Sequence, residues 1–311
     1  MCDSRGLNML ATKQAKQRVT FENILLATDF LPATNAAMSY AAGLARHFGA
    51  NLFALHVTEP TNYALPPEMP PQMWAGMRTA VEAEKQGLRE KLRRDFPGVT
   101  PNTIEAEGDV WRAVATAIEK YEIDLVVLGT RGRTGLEKVL LGSKAEEILR
   151  RVQCPVLTVG PDSRAKLGMR GKIASILYAT HFGPASLKAS RIAVSLAEEY
   201  QAKLTVLTVR PPERNETQTR LKEEVGEACE EELRGLVPED AQLWVTPRFM
   251  VEYGNDPAEK ILKRARREEA DLIILGAHKP EGVGGAATHL PTATIHRVVA
   301  HANCPVLTIR S

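Results

Sequence analysis

The sequence is short of the features that most quickly place a chain in a class. Cysteine occurs four times, as Cys2, Cys154, Cys229 and Cys304, never as a CxxC pair. That spacing argues against a disulfide framework and fits a reducing compartment. Aromatic residues make up only 5% of the chain, and no run interleaves them with basic residues as an RNA-binding sheet would. Net charge is nearly nil: 40 Lys and Arg stand against 38 Asp and Glu, leaving +2. This balance disfavours a nucleic-acid coat, an acidic tail or a polybasic membrane anchor. No apolar stretch approaches the ~20 residues that span a bilayer. The first twenty residues, MCDSRGLNMLATKQAKQRVT, hold no apolar core of signal-peptide length. The expectation is a soluble, cytoplasmic protein with neither nucleic acid nor membrane as partner. What is present, 44% hydrophobic and 25% charged residues, is ordinary globular usage. At about 150 residues per domain, 311 residues predict two domains.

The two domains are copies of one unit. Ile24-Leu-Leu-Ala-Thr-Asp-Phe30 returns as Ile176-Leu-Tyr-Ala-Thr-His-Phe182, an offset of 152. Asp124-Leu-Val-Val-Leu-Gly129 returns as Asp271-Leu-Ile-Ile-Leu-Gly276, an offset of 147. Cys154-Pro-Val-Leu-Thr-Val159 returns as Cys304-Pro-Val-Leu-Thr-Ile309, an offset of 150. Three matches in one order, with small drifts, define a duplication with loop insertions and deletions. The boundaries read as a tail over 1–20, a first domain over 21–160, a linker over 161–171 and a second domain over 172–311. The linker, Pro161 to Gly171, is polar and punctuated by Pro and Gly.

Within the first copy, strands and helices alternate. Asn23–Thr28, Leu52–Val57, Thr103–Ala106, Leu125–Leu128 and Pro155–Val159 read as strands. Ala33–Phe48, Met73–Phe96, Val110–Tyr121 (capped by Asp109) and Ser143–Arg151 carry helical spacing. Uninterrupted apolar runs such as Leu-Val-Val-Leu suit strands buried on both faces. The fold class is therefore α/β: two tandem, doubly wound domains, each with a five-stranded parallel sheet. In such folds ligands bind beyond the carboxyl ends of the strands, where strand order reverses.

The loop after the fourth strand carries the clearest chemical signal. Gly129-Thr-Arg-Gly132 is followed after nine residues by Gly142-Ser143, which opens a helix. Glycines let successive backbone N–H groups line up as an anion-binding concavity. The helix start adds unpaired N–H groups and a positive dipole end. Arg131, Arg133, Lys138 and Lys144 supply positive charge, and Asp29 at the end of the first strand offers acceptors for ribose hydroxyls. The same residues also have a plain structural reading. Gly132 and Gly135 serve as turn residues, Ser143-Lys-Ala-Glu146 forms a capping box, and Asp29 satisfies backbone groups at a strand end.

The pattern Gly129-x2-Gly132-x9-Gly142-Ser143, with Asp29 after the first strand, resembles the universal stress protein family, specifically its ATP-binding branch. The resemblance covers both repeats, but the full motif stands only in the first. It implies an adenine-nucleotide α-hydrolase-like fold with strand order 3-2-1-4-5, placing Asp29 and the glycine loop at the switch point. It also implies ATP, or ADP or AMP, with or without Mg²⁺, as the ligand. Asp29 would hold the ribose, Ala27 and Val57 would line the adenine pocket, and Thr28 would belong to the cofactor-binding set. Leu128, Gly129, Arg131, Gly132, Arg133, Gly142, Ser143, Lys144 and Ala145 would surround sugar and phosphates. The family further implies pairing through the last strand, so that Pro155–Val159 and Pro305–Ile309 could pair within one chain. A homodimer of whole chains and an unidentified protein partner stay open.

The second copy departs from the motif. His181 stands in the place of Asp29, Lys279-Pro280 in that of Gly132, and Thr292-Ala293 in that of Gly142-Ser143. A residue before Pro is pushed toward extended backbone, so the same nest is not expected there. Gly282-Val-Gly284-Gly-Ala-Ala287 satisfies GxGxxA formally, but follows a fourth strand and not a first. His278, His289, His296 and His301 cluster without an HxxxH pair or a carboxylate group, so no metal site is expected. Cys154 and Cys304 read as buried small apolar residues. No GxxxxGK[ST] loop and no positioned base are present, so no catalytic residue is assigned. The leading expectation is a tandem stress-response sensor or regulator that binds ATP in its first domain. A slow ATPase or phosphotransferase, and an interaction module without nucleotide, are the alternatives.

Overall fold

The structure is a computed structural model. It describes residues 19–28, 35–58, 98–130, 141–160, 163, 173–183, 185–212, 219–277 and 292–310, together with ten positions between 76 and 94. In the first half the elements are β1 (Asn23–Ala27), α1 (Asn35–Phe48), β2 (Asn51–Thr58), β3 (Asn102–Glu107), α2 (Val110–Lys120), β4 (Leu125–Gly129), α3 (Ser143–Arg151) and β5 (Val156–Val159). The second half holds β6 (Ser175–Thr180), α4 (Ala185–Tyr200), β7 (Lys203–Arg210), α5 (Thr219–Gly235), α6 (Glu239–Val245), β8 (Arg248–Tyr253), α7 (Pro257–Arg267), β9 (Leu272–Ala277), α8 (Thr292–His301) and β10 (Val306–Arg310). Within the expected helix 73–96, every described position from 76 to 94 is helical.

The strands form one sheet in the order β3-β2-β1-β4-β5-β10-β9-β6-β7-β8. Each half alone reads 3-2-1-4-5 with parallel neighbours, the order the family resemblance implies. The halves join where β5 and β10 run antiparallel, with Leu157 opposite Leu307. These two residues are equivalent in the repeat, so an internal two-fold axis passes through their pairing. Among the described strands, joining the last ones leaves β3 and β8 as the edges, which removes two unpaired ladders from water.

Helices cover both faces, and the core divides accordingly. One cluster lies under α1 and α4 and includes Ile24, Leu26, Leu157, Ile176, Tyr178 and Leu307. The other lies under α2, α3, α7 and α8 and includes Leu25, Leu128, Val156, Ile273 and Val306. Adjacent residues of one strand thus face opposite layers, which is why β4, β5, β9 and β10 are buried along nearly their whole length and do not alternate.

Duplicated residues also do duplicated structural work. Asp109 caps α2 by accepting from Arg112 N, and Asp256 caps α7 by accepting from Glu259 N. Asp124 accepts from the backbone N–H groups of Glu22 and Asn23, tying the entry of β1 to that of β4. Asp271 accepts from Ala174 and Ser175 in the same way at the entry of β6. Symmetry fails at the left-handed position after the first helix of each half. Gly49 (φ 67°) fills it in one copy and Gln201 (φ 51°) in the other.

Candidate functional site

The carboxyl ends of β1, β2 and β4 bring several of the sequence-derived residues together. Ala27 lies between Leu55 of β2 and Leu128 of β4, with Val57 two residues beyond Leu55. Ala27, Val57 and Leu128 all pack on the α2–α3 face of the sheet, Ala27 and Val57 only partly buried. Parallel pairing and the two-residue pleat put them on one face. The result is an apolar strip ending at the rim of the sheet. Thr28 extends the ladder by donating its N–H to Leu55 O at 3.0 Å. Its carbonyl lies 3.2 Å from Nδ1 of His56. His56 therefore holds the backbone immediately before position 29. The motif reading missed it, since it is Thr208 in the second copy and no repeat match marks it.

The other wall starts at the end of β4. Thr130 N–H donates to Val159 O, and Gly142 N–H returns to Thr130 O at 3.2 Å. These two bonds tie the end of β4 to β5 and bring the start of α3 to the rim. Gly142 is the N-cap of α3, with φ −60° and ψ 144° and no side-chain cap bond. The first helical bond runs from Glu146 N to Gly142 O. The expected capping box at Ser143 is therefore not formed: Ser143 is the first helical residue, one position too late to cap. A helix start whose N-cap residue has no side chain of its own suits an external anion at its dipole end. Ser143 and Lys144 are exposed there, and Gly142 and Ala145 are partly buried. Asp29, Arg131, Gly132, Arg133, Gly135 and Lys138 lie outside the described residues.

The far end of α3 is also held. Arg310, buried at the end of β10, donates from Nε to Leu149 O at 3.0 Å. Burial, and Arg150 nearby, lower its pKa from the usual guanidinium value. A cation at the helix C-terminus complements the dipole, and here the second half supplies it. Cys304 is buried, while Cys154 is only partly so; burial pushes the Cys154 thiol up to about 11, the reverse of a reactive thiolate.

The second half keeps the framework but fills the matching rim differently. Thr180 Oγ1 donates to Ser186 Oγ at 2.7 Å, and Tyr178 OH donates to Ser186 O at 2.8 Å. His181 lies so close to Gly183 that a Cβ there would stand 2.8 Å from its Nε2. Thr292 opens α8 in the place of Gly142; His278, Lys279, Pro280, His289 and the 282–287 loop lie outside the described residues. Among the described residues no three His, Cys, Asp or Glu side chains group as metal ligands, and no helix is long and apolar enough to cross a membrane.

Fold and rim together define a duplicated, doubly wound α/β protein whose two rims are lined by different residues. Residues 20–160 and 172–310 each match the universal stress protein family, and the chain belongs to that family in its tandem form. A universal stress protein of Mycolicibacterium smegmatis is 28% identical over 317 aligned positions, covering 94% of this chain and 99% of that one. One from Methanocaldococcus jannaschii is 32% identical over 142 residues, 45% of this chain and 82% of its own. The crystal structure of a universal stress protein from Archaeoglobus fulgidus superposes with TM-score 0.62 at 18% identity, over 93% of this chain and 98% of that one. That last likeness concerns the fold.

Proposed function

We propose that the first half binds an adenine nucleotide, ATP or its di- or monophosphate with or without Mg²⁺, and that the protein acts as a stress-response sensor or regulator. The observation that carries this reading is the start of α3: Gly142 at the N-cap, with no side chain of its own to cap the helix, tied by its N–H to Thr130 at the end of β4. Phosphate oxygens suit that position, because the N-cap glycine brings no side-chain acceptor of its own. The half-buried strip of Ala27 and Val57 suits the face of a purine, and Leu128 backs it. Asp29 and the Arg131–Gly132–Arg133 segment complete the set by their places in the sequence, Asp29 for ribose hydroxyls and the loop for phosphates. The second half covers the β5 edge and holds the C-terminus of α3 through Arg310.

Thermal melting of the full chain with and without Mg-ATP tests the reading. A ligand at a hundredfold over Kd stabilises by about 2.7 kcal/mol, which for a chain of this size is a shift of roughly 5 °C. Ser143→Asp places a carboxylate in the first helical turn, where it favours the helix dipole but repels phosphate. That variant is expected to melt no lower than the parent and to lose most of the nucleotide shift. No response to ATP, ADP or AMP at millimolar concentration overturns the proposal.

A further inference from the structure

The two-fold axis through Leu157 and Leu307 brings equivalent residues of the two halves face to face, and on both sides of the sheet the facing pair is a histidine and a glutamate. On the α1–α4 side, His47 Nε2 lies 3.2 Å from Glu199 Oε1. These positions are 152 apart, the offset of that segment, so they are one position of the repeat. On the α3–α8 side, His296 Nδ1 lies 3.6 Å from Glu146 Oε1. These are 150 apart, again the offset of their segment. The order is crossed: the first half carries His47 and Glu146, the second Glu199 and His296.

A homotypic pairing through the same strand cannot reproduce this arrangement. Two first halves would set Glu146 against Glu146 and His47 against His47. Two second halves would set Glu199 against Glu199 and His296 against His296. Like charges in contact cost about what opposite charges gain, so each homotypic pair loses at both positions once the histidines are charged. Neighbouring rings add shape to one of the two contacts. His47 stacks on Tyr200 at 4.3 Å, and Phe48, the repeat equivalent of Tyr200, meets that ring edge-on at 6.4 Å.

We propose that the β5–β10 interface is a selective docking surface whose partner is the unlike half of the same fold, with the crossed His–Glu pairs discriminating against a second copy of the same half. After duplication an interface that must be self-complementary is free to become complementary between unlike surfaces, and it gains specificity by penalising the wrong pairs. This is independent of whether the first half binds nucleotide.

The test is a charge-reversal cycle on the full chain, read by hydrogen exchange of the β5 and β10 amides at pH 5.5, where histidine ordinarily carries its charge. His47→Glu with His296→Glu gives an interface with glutamate on both sides at both positions. Glu146→His with Glu199→His gives histidine throughout. All four changes together restore opposite charges in reversed order. Partly exposed pairs of this kind shift an equilibrium by about two- to fivefold each, so each double variant is expected to exchange on the order of tenfold faster. The fourfold variant is expected to return to within about threefold of the parent. Exchange in the fourfold variant as fast as the two double variants combined overturns the proposal. If a double variant does not fold, the same comparison with His47→Glu, Glu199→His and their combination decides it: recovery in the combination supports the pairing, and additive loss overturns it.

Discussion

Truncating Leu157 or Leu307 tests how the two halves are joined. They face each other on the internal axis, are 3% and 2% exposed, and belong to the cluster under α1 and α4. Both also line a cavity of about 20 Å³ on that axis, between equivalent pairs Phe21 and Ile173, Leu44 and Leu196, and Leu125 and Leu272. Core Leu→Ala changes cost about 2.7–5.0 kcal/mol, rising by about 24 cal/mol per Å³ of residual void. The existing void is common to parent and variant, so the cost is set by the new void alone. Leu157→Ala and Leu307→Ala are therefore expected to cost about 4 kcal/mol each. Leu177→Ala, equally buried but on the other face, is expected to cost about as much. Urea unfolding measures the costs, and the Tm should fall by roughly 8 °C for the axial variants. Because each half covers the other's last strand, one cooperative transition is expected in all three variants. Two separate transitions, or axial costs under about 2 kcal/mol, would refute the shared core.

Two further outcomes follow from single residues. Gln201 holds the left-handed backbone that Gly49 holds in the other copy. Gln201→Gly is expected to stabilise by about 0.5–1 kcal/mol, since a non-glycine residue pays about 1–2 kcal/mol there; an unchanged denaturation midpoint contradicts this. Asp256 has its carboxyl held below the usual range, first by Glu259 N–H and then by Arg297, whose Nη1 lies 2.7 Å from it. A folded-state pKa below the unfolded value contributes stability that is present above the unfolded value, about 4, and lost as pH falls through the folded one. Asp256→Ala is thus expected to cost about 1 kcal/mol near neutrality. The gap to the parent should narrow as pH falls from 5 to 3 in urea titrations, and a gap constant with pH would contradict the assignment.

The capping box shows where reading along the chain stops. Ser143-Lys-Ala-Glu146 has the right residues at the right spacing, and α3 begins where the apolar period says. Yet Gly142 takes the N-cap position, which moves Glu146 out of reach of a box and leaves its carboxylate facing His296. A local pattern was legible; the use of its last residue depended on a helix 150 residues away. Phe53 and Tyr121 make the same point, with rings 4.7 Å apart. Their equivalents, Thr205 and Glu268, meet by a hydrogen bond in an ion-pair network with Arg264 and Arg248. Each contact is consistent within its own copy, and nothing in either sequence alone marks the two positions as neighbours.

The sequence by itself determined the duplication, the α/β alternation and the helix cap at Asp109, because each rests on residues near one another in the chain. The tertiary structure decided the rest. It set the two halves edge to edge in one sheet with an axis through Leu157 and Leu307. It brought His56 to the backbone before position 29, and crossed His47 with Glu199 and Glu146 with His296. These contacts join residues 28 to 152 positions apart, and periodicity carries no information about which distant faces meet. That choice belongs to packing, which answers to the whole surface at once.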